Sequence, residues 1–432
     1  MATQAEAVLS GPDALAIIDP ANYVDWDGLL DRFDKLRRET PVVRVVNDEL
    51  HDPFWLVTSY DDVMRISKDN KLFLNSPRSV TFSDKNSGAF VKSITGGDPN
   101  LVRSLVALDA PTHPKYRRLT QDWFMPKNLG KMEDEIRALA KVTVDRLIDA
   151  GGEADFVPLV SAPYPLHVVM QILGVPEADE QWMLFLTQQM FGGQDEDLNK
   201  SGMANMTPEQ IMQLVVGAVA DFEAYFAKLT AEKRASPSDD VASVIANAKV
   251  DGEHLSDRDM AGYYIILAAA GHDTTSASTA GAMMALARDP EQFARLKADR
   301  DLLPGIVEEA IRWTTPVQHF MRTAAEDTEL GGQKIAKDDW LMISYIAANH
   351  DESVFPDPRK FDASRSPNRH LSFGAGAHQC LGLHMARLEM RILFNELLDR
   401  IETLELAGEP KRAKSTFVGG LKTLPIRYSL SK

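Results

Sequence analysis

Cysteine is nearly absent from this sequence, because Cys380 is the only one among 432 residues. A lone cysteine cannot close an intramolecular disulfide, and a structural zinc site built on cysteine needs about two to four of them. The sequence also contains no internal repeat and no low-complexity tract, which argues against a solenoid and against a disordered chain. Neither cross-links nor repeats therefore define this chain.

Basic charge and long apolar runs are also scarce. The sequence has 47 Lys and Arg against 63 Asp and Glu, a formal net charge of −16, which argues against general nucleic-acid affinity. The longest apolar run, Ala261–Gly271, is too short to cross a bilayer, and Met1–Asp19 lacks the basic start of a signal peptide. With an ordinary 44% of hydrophobic residues, the sequence predicts a soluble, cytoplasmic protein.

The setting of Cys380 is unusual. It lies in the stretch Phe-Gly-Ala-Gly-Ala-His-Gln-Cys-Leu-Gly, which covers Phe373–Gly382 and is followed by a helical pattern. Glycines let the backbone come close to a bulky group. The unpaired N–H groups and the dipole at a helix start favour a thiolate. A thiolate presented from a glycine-rich loop against a flat group is what axial haem ligation requires.

Three other interpretations of this stretch remain open on these residues alone. A single cysteine is most often a small buried hydrophobe. Gly374 and Gly376 could begin a dinucleotide fingerprint, although Gln379 stands where the third glycine belongs. A catalytic cysteine beside His378 or His384 would need a hydrolase scaffold, which the sequence does not show.

At every fixed position the stretch resembles the haem-binding loop of the cytochrome P-450 family, Phe-Gly-x-Gly-x-His-x-Cys-x-Gly. The resemblance spans roughly residues 20 to 430 and implies a mainly α fold with a small β-rich part, a helical triangular prism that encloses haem. It implies one such domain over 20–432 after an N-terminal extension, 1–19. It also implies haem b as cofactor, with Cys380 as the axial ligand of the iron.

The spacing of hydrophobic residues and the positions of capping and helix-breaking residues predict most of the helices and strands. Trp26 to Leu36 reads as a helix, Val42–Val46 and Phe54–Thr58 as a hairpin, and residues 76–100 as a long loop. Later helices are predicted at about 130–150, 158–173, 178–191, 207–234 and 303–313 and from Cys380 to about Arg400, with short strands near Val418 and Pro425–Tyr428 and a mobile polar connection over Gly192–Met206.

One long helix is predicted from Ser256 to Arg288. Asp273 and Thr274 are polar groups on its otherwise apolar face, which costs free energy unless they are partnered. A helical threonine often bonds to the carbonyl four residues earlier, and this is the alternative for Thr274. The stretch Ala270–Thr275 resembles the family's oxygen-activation segment, and the resemblance implies that Asp273 and Thr274 are catalytic and manage protons.

The resemblance also assigns residues around the haem. His113 and Arg117 are four apart on one helix face, which alone would indicate a solvated basic turn. The resemblance implies that they bind the haem propionates. The full set of implied cofactor-binding residues is His113, Arg117, Arg322, His378, Phe373, Ala270 and Gly382.

Glu309 and Arg312 are three apart on the predicted helix 303–313, a spacing worth only about 0.2–0.5 kcal/mol on a helix surface. Here the resemblance implies a buried structural pair, joined by Arg365, that supports the haem side.

As to activity, the resemblance implies a haem-thiolate monooxygenase that hydroxylates a small hydrophobic substrate, a monoterpene or alkyl-aromatic, with dioxygen. Two electrons would come from a two-iron ferredoxin and its NAD(P)H-dependent ferredoxin reductase. The strings Ala-Gly-His-Asp-Thr-Thr-Ser, Pro-Asn-Arg-His-Leu and Phe-Val-Gly-Gly are similar to those of the soluble bacterial class that includes the α-terpineol hydroxylase. The implied pocket residues are Ile266, Ala269, Ala270, Phe320, Phe417 and Val418, and the predicted docking residues are Lys115, Arg118 and Arg387.

Other functions stay open. A sterol or fatty-acid hydroxylase of the same family would need a longer pocket or a charge that holds a carboxylate. A non-catalytic haem-thiolate sensor would have no need of Asp273 and Thr274. A peroxide-driven peroxygenase is a further alternative. In the family, peroxygenases lack the acid and alcohol that stand here as Asp273 and Thr274.

Overall fold

The computed structural model describes residues 6–47, 49–191, 194–197 and 207–431. Helices dominate this part of the chain, as predicted. They are α1 (Gly11–Ile18), α2 (Trp26–Glu39), α3 (Tyr60–Lys68), α4 (Lys85–Ile94), α5 (Thr112–Gln121), α6 (Pro126–Leu129), α7 (Glu133–Asp149), α8 (Pro163–Ile172), α9 (Glu180–Phe191), α10 (Pro208–Ala235), α11 (Val241–Asn247), α12 (Asp257–Ala270), α13 (Asp273–Arg288), α14 (Pro290–Ala298), α15 (Leu303–Thr314), α16 (Tyr345–Asn349) and α17 (Leu383–Arg400).

The β part is smaller. Its strands are β1 (Val8–Leu9), β2 (Val42–Val45), β3 (Phe54–Val57), β4 (Phe73–Leu74), β5 (Glu153–Asp155), β6 (Lys249–Val250), β7 (Glu253–His254), β8 (His319–Ala324), β9 (Thr328–Leu330), β10 (Gln333–Ile335), β11 (Trp340–Ser344), β12 (Ile401–Leu406), β13 (Lys411–Arg412), β14 (Leu421–Thr423) and β15 (Pro425–Leu430).

The main sheet has the order β1-β2-β3-β11-β8-β4. The predicted hairpin is confirmed, with β2 antiparallel to β3 and Val43 opposite Leu56. Strand β11 runs parallel to β3 and antiparallel to β8, which places Phe320 opposite Ile343. A second sheet, β12-β15-β5, and the pairs β9-β10, β13-β14 and β6-β7 complete the β part.

The described part of the segment 1–19 is built into the domain. Strand β1 pairs in parallel with β2. Ala14, Ile17 and Ile18 of α1 are buried in the same hydrophobic cluster as Leu29 and Phe33 of α2. Their burial follows from the apolar face of α1, so residues 8–18 pack as part of the main body rather than as a separate extension.

The prediction of one continuous helix over 256–288 was wrong. It starts as expected, with the Ser256 side chain accepting the Asp259 N–H, but α12 ends at Ala270 and α13 starts at Asp273. At the break, Thr274 Oγ1 donates to the Ala270 carbonyl oxygen at 2.8 Å, the bond that competes with regular helix pairing. Gly271 lies against Val169 of α8, where a Cβ would clash.

The prediction that residues 76–100 form a loop was also wrong, because α4 lies inside that range. The Asp84 side chain caps α4 by accepting the N–H groups of Asn86 and Ser87. Only Val91 of α4 is buried, and the helix contains Asn86, Gly88 and two serines, which are weak helix formers. The predicted connection over 192–206 lies outside the described residues, except for 194–197.

Helix α13 lies at the centre of the largest hydrophobic cluster, and every residue from Thr275 to Ala287 is buried. It packs against α8, α15 and α17, while α17 packs against α7 and α15. These helices fix the distance between the break at residues 271–272 and the loop that carries Cys380. Among the described helices, none combines the length and apolarity needed to cross a membrane.

Candidate active site

The loop 373–382 is held in place by backbone contacts. The Cys380 N–H donates to the Phe373 carbonyl oxygen at 2.8 Å, and the Gly374 N–H donates to Leu371. Gly376 has a φ of +73° and lies so close to the Ser67 carbonyl of α3 that a Cβ would clash. Glycine is therefore required there both for the backbone angle and for the close approach.

Cys380 lines an internal cavity, which we call the cysteine cavity. The side chain is exposed to this cavity, although it lies deep in the protein. All seven predicted cofactor-binding residues line the same cavity, namely His113, Arg117, Ala270, Arg322, Phe373, His378 and Gly382. Around the position of a Cβ on Gly382 there is open space within 4 Å. The loop thus presents sulfur toward a space that a planar group can fill.

Burial raises the pKa of the Cys380 thiol. A hydrogen bond from the Gly382 backbone and the positive charges of Arg117 and Arg387 act in the opposite direction but do not outweigh burial. The expectation that a helix start would favour the thiolate was therefore incomplete, since α17 begins only at Leu383. A cationic centre bound in the cavity would supply the missing stabilisation.

Two arginines and two histidines around the cysteine cavity lack an anionic partner. Within the described chain, Arg322 is 5% exposed and donates only to the neighbouring Met321 carbonyl oxygen, and Arg117 forms no ion pair. His113 and His378 have ring centroids 4.0 Å apart, and the Nε2 of each is buried without a partner. Burial, reinforced by nearby positive charge, lowers the pKa of His113 to about 4 and that of His378 to about 2.

This set of donors fits a dianionic planar cofactor. A buried arginine without a carboxylate, such as Arg322, is costly unless a ligand supplies the negative charge. Two guanidinium groups and two unpartnered imidazole nitrogens could hold two carboxylates by charge-assisted hydrogen bonds. Asn75 and Tyr345, which the sequence did not single out, line the same cavity, and Asn75 Oδ1 is buried without a partner.

The opposite wall of the cysteine cavity is the break between α12 and α13. Thr274 faces both this cavity and a second one, the α12 cavity, which also includes Asp273. The Asp273 side chain is 37% exposed, and its Oδ1 lies 3.1 Å from His272 Nε2. The Thr274 hydroxyl is engaged with Ala270, as the alternative interpretation predicted. Helix geometry thus brings a carboxyl and a hydroxyl to the junction of two cavities.

A buried carboxyl that the sequence analysis missed lies on the cysteine cavity. Glu389 of α17 is 2% exposed, and its Oε1 accepts the Thr275 hydroxyl at 3.0 Å, while Oε2 is buried without a partner. Burial raises the pKa of Glu389 well above 4.5, against the opposing bond from Thr275. Its spacing of four residues from buried Met385 was the signal that could have placed it on the inner face of α17.

All six predicted pocket residues line the α12 cavity: Ile266, Ala269, Ala270, Phe320, Phe417 and Val418. Phe320 and Phe417 meet edge to face with ring centroids 5.4 Å apart. Val317 pairs with Val418 in an isolated β-bridge. Ile266, Ala270 and Phe320 also line the cysteine cavity, so the two cavities share a wall. The sequence missed the contributions of α4, α9, α10 and residues 79–83 and 99–106.

The Glu309 cluster, Glu309 with Arg312 and Arg365, is fully formed and buried. The two Glu309 oxygens accept Arg312 Nε and Nη2 at 2.8 Å, and Arg365 Nε lies 3.1 Å from both. The Asn368 side chain and the Asp362 N–H complete the shell at 3.0 Å. Because both carboxylate oxygens of Glu309 are occupied, the cluster ties α15 to the segment before the Cys380 loop.

The three basic residues predicted for docking differ in how free their charges are. Arg387 donates to Glu308 at 2.5 and 2.8 Å and lies 4.7 Å from the centroid of Phe373. Burial would raise the pKa of Glu308, but hydrogen bonds from Arg387 and His370 hold it down to about 2. Lys115 is paired with Asp251, whereas Arg118 is exposed. Pairing weakens Lys115 and Arg387 as steering charges.

Comparison with known proteins agrees with this geometry. The family model described as Cytochrome P450 matches residues 23–430. The chain is 45% identical to cytochrome P450-terp of Pseudomonas sp, over 98% of this chain and 99% of that protein. It is 33% identical to linalool 8-monooxygenase of Pseudomonas putida, over 92% and 94%. The crystal structure of CYP108D1 from Novosphingobium aromaticivorans is 65% identical and superposes with a TM-score of 0.90 over 97% and 98% of the two chains.

Proposed function

Because this chain belongs to the cytochrome P450 family and is a monooxygenase of that family, we propose that it hydroxylates a small, mainly apolar substrate of monoterpene or alkyl-aromatic size. The observation that carries the proposal is the α12 cavity, whose wall is mostly aliphatic and aromatic and which adjoins the cysteine cavity. In the described part of its lining, Asp273 is the one charged side chain. The described cavity wall offers no cation to a carboxylate, so fatty acids are less favoured substrates than neutral molecules.

The resident cofactor of the family is a haem-thiolate group, and we propose haem b, with Cys380 Sγ as the axial ligand. When bound, the group activates dioxygen with two electrons and delivers one oxygen atom to a C–H bond. Arg117, Arg322, His113 and His378 would hold its two propionates. The unpaired state of these four side chains supports that role. Phe373, Ala270 and Gly382 would border its faces.

Asp273 and Thr274 would handle protons. The reaction consumes protons inside an apolar cavity, where a positioned acid and hydroxyl are needed. Asp273 is 37% exposed, so it can exchange protons with water, and it lies against His272. Thr274 is the next residue and faces both cavities, so its hydroxyl can pass a proton across the shared wall. Both side chains line the α12 cavity, but their polar atoms engage His272 and the Ala270 carbonyl.

The size of the expected ligand sets its affinity. Burying about 150–200 Å2 of apolar ligand surface contributes roughly 4–5 kcal/mol at about 25 cal/mol per Å2. By itself, 4–5 kcal/mol corresponds to a Kd of about 0.2–1 mM, so apolar burial of this size gives weak rather than nanomolar binding.

A titration of four ligands tests the substrate class. We expect p-cymene and α-terpineol to shift the haem from low to high spin, whereas a long fatty acid and a sterol do not. Complete, tight shifts with the fatty acid or the sterol alone would contradict the proposal. Turnover with dioxygen and a ferredoxin, compared with turnover on added peroxide, separates a monooxygenase cycle from a peroxygenase.

We propose that electrons come from a small acidic two-iron ferredoxin, reduced by an NAD(P)H-dependent reductase in the cytoplasm. Positive charge near the cysteine loop supports this, and Arg118 is the freest member of the predicted docking set. Reduction should slow with rising ionic strength, because steering between opposite charges is screened by salt. Arg118→Glu should slow it more than Arg387→Glu, whose parent residue is already paired with Glu308. Salt-independent reduction would require another docking face.

A further inference from the structure

One wall of the α12 cavity contains Ser104, whose side chain has no hydrogen-bond partner among the described residues. Ser104 occupies the N-cap position of the 3-10 turn Leu105–Ala107, where a serine hydroxyl normally accepts a backbone N–H. Its side chain makes no such bond, whereas the N-caps Ser59 and Ser256 both do. Ser104 is 5% exposed and lines the cavity. A hydroxyl on the wall of a mostly apolar cavity, with no partner among the described residues, is free to bond to a ligand.

Asn100 presents a second free polar group to the same cavity. It is 8% exposed, and its Oδ1 accepts the Val80 N–H at 3.3 Å. This bond fixes which end of the amide is the acceptor, and Nδ2 has no hydrogen-bond partner among the described residues. An amide nitrogen of this kind can only donate. Asn100 and Ser104 line the α12 cavity and are not part of the cysteine cavity.

Four other hydroxyls on the cavity wall are already used, and Ser83, which also lines it, is only half-buried. Ser79 Oγ and Thr81 Oγ1 lie 3.2 Å apart and bond to each other. Ser87 donates to Asp84 at 2.6 Å, and Thr274 donates to Ala270 at 2.8 Å. Ser104 and Asn100 therefore differ from these neighbours in being both buried and free.

The loop that carries both residues is clamped to the start of α12 by two crossed ion pairs. Arg103 pairs with Asp259, which also accepts the Tyr116 hydroxyl at 2.8 Å. In the reverse direction Arg258 pairs with Asp98 at 3.3 Å and donates to the Asn100 carbonyl. The loop backbone lies so close to α12 that a Cβ on Gly262 would clash with the Arg103 carbonyl. Such a clamp holds the two free groups in place before a ligand arrives.

We propose that Ser104 and Asn100 form a recognition subsite for one neutral oxygen of the substrate, a hydroxyl or a carbonyl, away from the cysteine cavity. Both groups can donate to that oxygen, and the Ser104 hydroxyl can also accept from an alcohol. The lack of a cation in the described cavity wall disfavours a carboxylate. The inference rests on the proposed function and narrows it: the substrate is an oxygenated terpenoid-sized molecule rather than a plain hydrocarbon, and it is hydroxylated at a carbon remote from its own oxygen.

A matched pair of ligands tests the subsite. α-Terpineol and p-menth-1-ene share a carbon skeleton and differ by one hydroxyl. The wild-type haem protein should bind the alcohol about tenfold more tightly than the hydrocarbon, the ratio that one or two neutral hydrogen bonds give. Ser104→Ala should reduce that preference severalfold and leave the affinity for p-menth-1-ene unchanged. Affinities are measured by calorimetry as well as by the spin-state shift, so the result does not depend on the haem spectrum alone.

Two further variants separate the subsite from general effects on the cavity. Asn100→Asp keeps an acceptor for the Val80 N–H but removes the free donor. It should weaken the binding of the ketone menthone relative to that of the hydrocarbon p-menthane. Thr81→Val removes a wall hydroxyl that is already bonded to Ser79, and it should leave both preferences intact.

The possible outcomes have distinct meanings. Equal binding of α-terpineol and p-menth-1-ene, unaffected by Ser104→Ala, would overturn the subsite while the proposed function stands. A loss of preference in Thr81→Val as large as that in Ser104→Ala would also overturn it, because a general change in the cavity would then be the cause. Binding of neither terpenoid, with tight binding of a fatty acid or a sterol, would overturn the proposed function and the subsite together.

Discussion

The Glu309 cluster and the break between α12 and α13 both bury polar side chains, but only the cluster uses all of their hydrogen-bonding capacity. Glu309 is 0% exposed, and both of its oxygens are occupied by Arg312, Arg365 and their neighbours. At the break, Asp273 is partly exposed, and His272 Nδ1 and the Oε2 of Glu389 from the neighbouring α17 are buried with no partner in the described part of the chain.

This difference distinguishes a structural role, at the Glu309 cluster, from a chemical role, at the break between α12 and α13. A saturated buried network has no spare group with which to exchange protons, so it can only hold its elements together. An unsaturated polar site is less stable by itself, and it can act on a ligand or relay a proton. We therefore expect changes at the cluster to affect stability, and changes at the break to affect turnover.

The largest effect is expected at the cluster. Glu309→Ala would leave Arg312 and Arg365 buried without their counter-charge, and the free energy of unfolding should fall by about 3–5 kcal/mol. Glu133→Ala removes an exposed helix pair with Arg137 and should cost about 0.5 kcal/mol or less. Chemical denaturation of the two variants measures both values. If Glu309→Ala cost no more than Glu133→Ala, the cluster would not be a structural anchor.

At the break we expect a loss of turnover with little loss of stability. Asp273→Asn removes an ionisable group and should slow dioxygen-dependent turnover about a hundredfold, the range of general acid–base catalysis. Thr274→Ala should keep substrate affinity while diverting reducing equivalents to peroxide. Asp257→Asn, at the start of α12, is the control. If Thr274→Ala coupled all its electrons to product formation, Thr274 would not deliver the proton, and Thr275 or water would have to do so.

A smaller, pH-dependent effect is expected at Glu389. Burial raises its pKa well above 4.5, so the folded state keeps a proton that the unfolded chain loses near that pH. Stability should therefore fall as pH rises through the window between the unfolded and the folded pKa. Because glutamine cannot ionise, the free energy of unfolding of Glu389→Gln should rise relative to that of wild type progressively above about pH 4.5. The exposed Glu409→Gln should track wild type, and a pH-independent difference at Glu389 would contradict the assignment.

The sequence predicted those features that rest on local spacing or on short strings. The apolar offsets around Ile266 and the glycines around Cys380 led to the α12 cavity and to the cysteine loop. The break was missed although the alternative for Thr274, a hydrogen bond to the Ala270 carbonyl, pointed to it, whereas the contact of Gly271 with Val169 from α8 was not predictable. Helix α4 was missed because its asparagine, glycine and serine residues, which are weak helix formers, were read as a loop.

Contacts between residues far apart in the sequence explain what else the sequence analysis missed. Ser104 looks in sequence like an ordinary capping serine, and only the structure shows that its hydroxyl is free. Arg387 looks like a free basic residue, and it is paired with Glu308 from a different helix. Contacts between residues far apart in the chain decide both cases.

The most direct test of the account is the absorption spectrum of the reduced protein with carbon monoxide, recorded for wild type and for Cys380→His. The account predicts a Soret band at the position of thiolate-ligated haem in wild type and its loss in Cys380→His, together with loss of dioxygen-dependent turnover. If Cys380→His kept both the thiolate band and the turnover, Cys380 would not be the iron ligand.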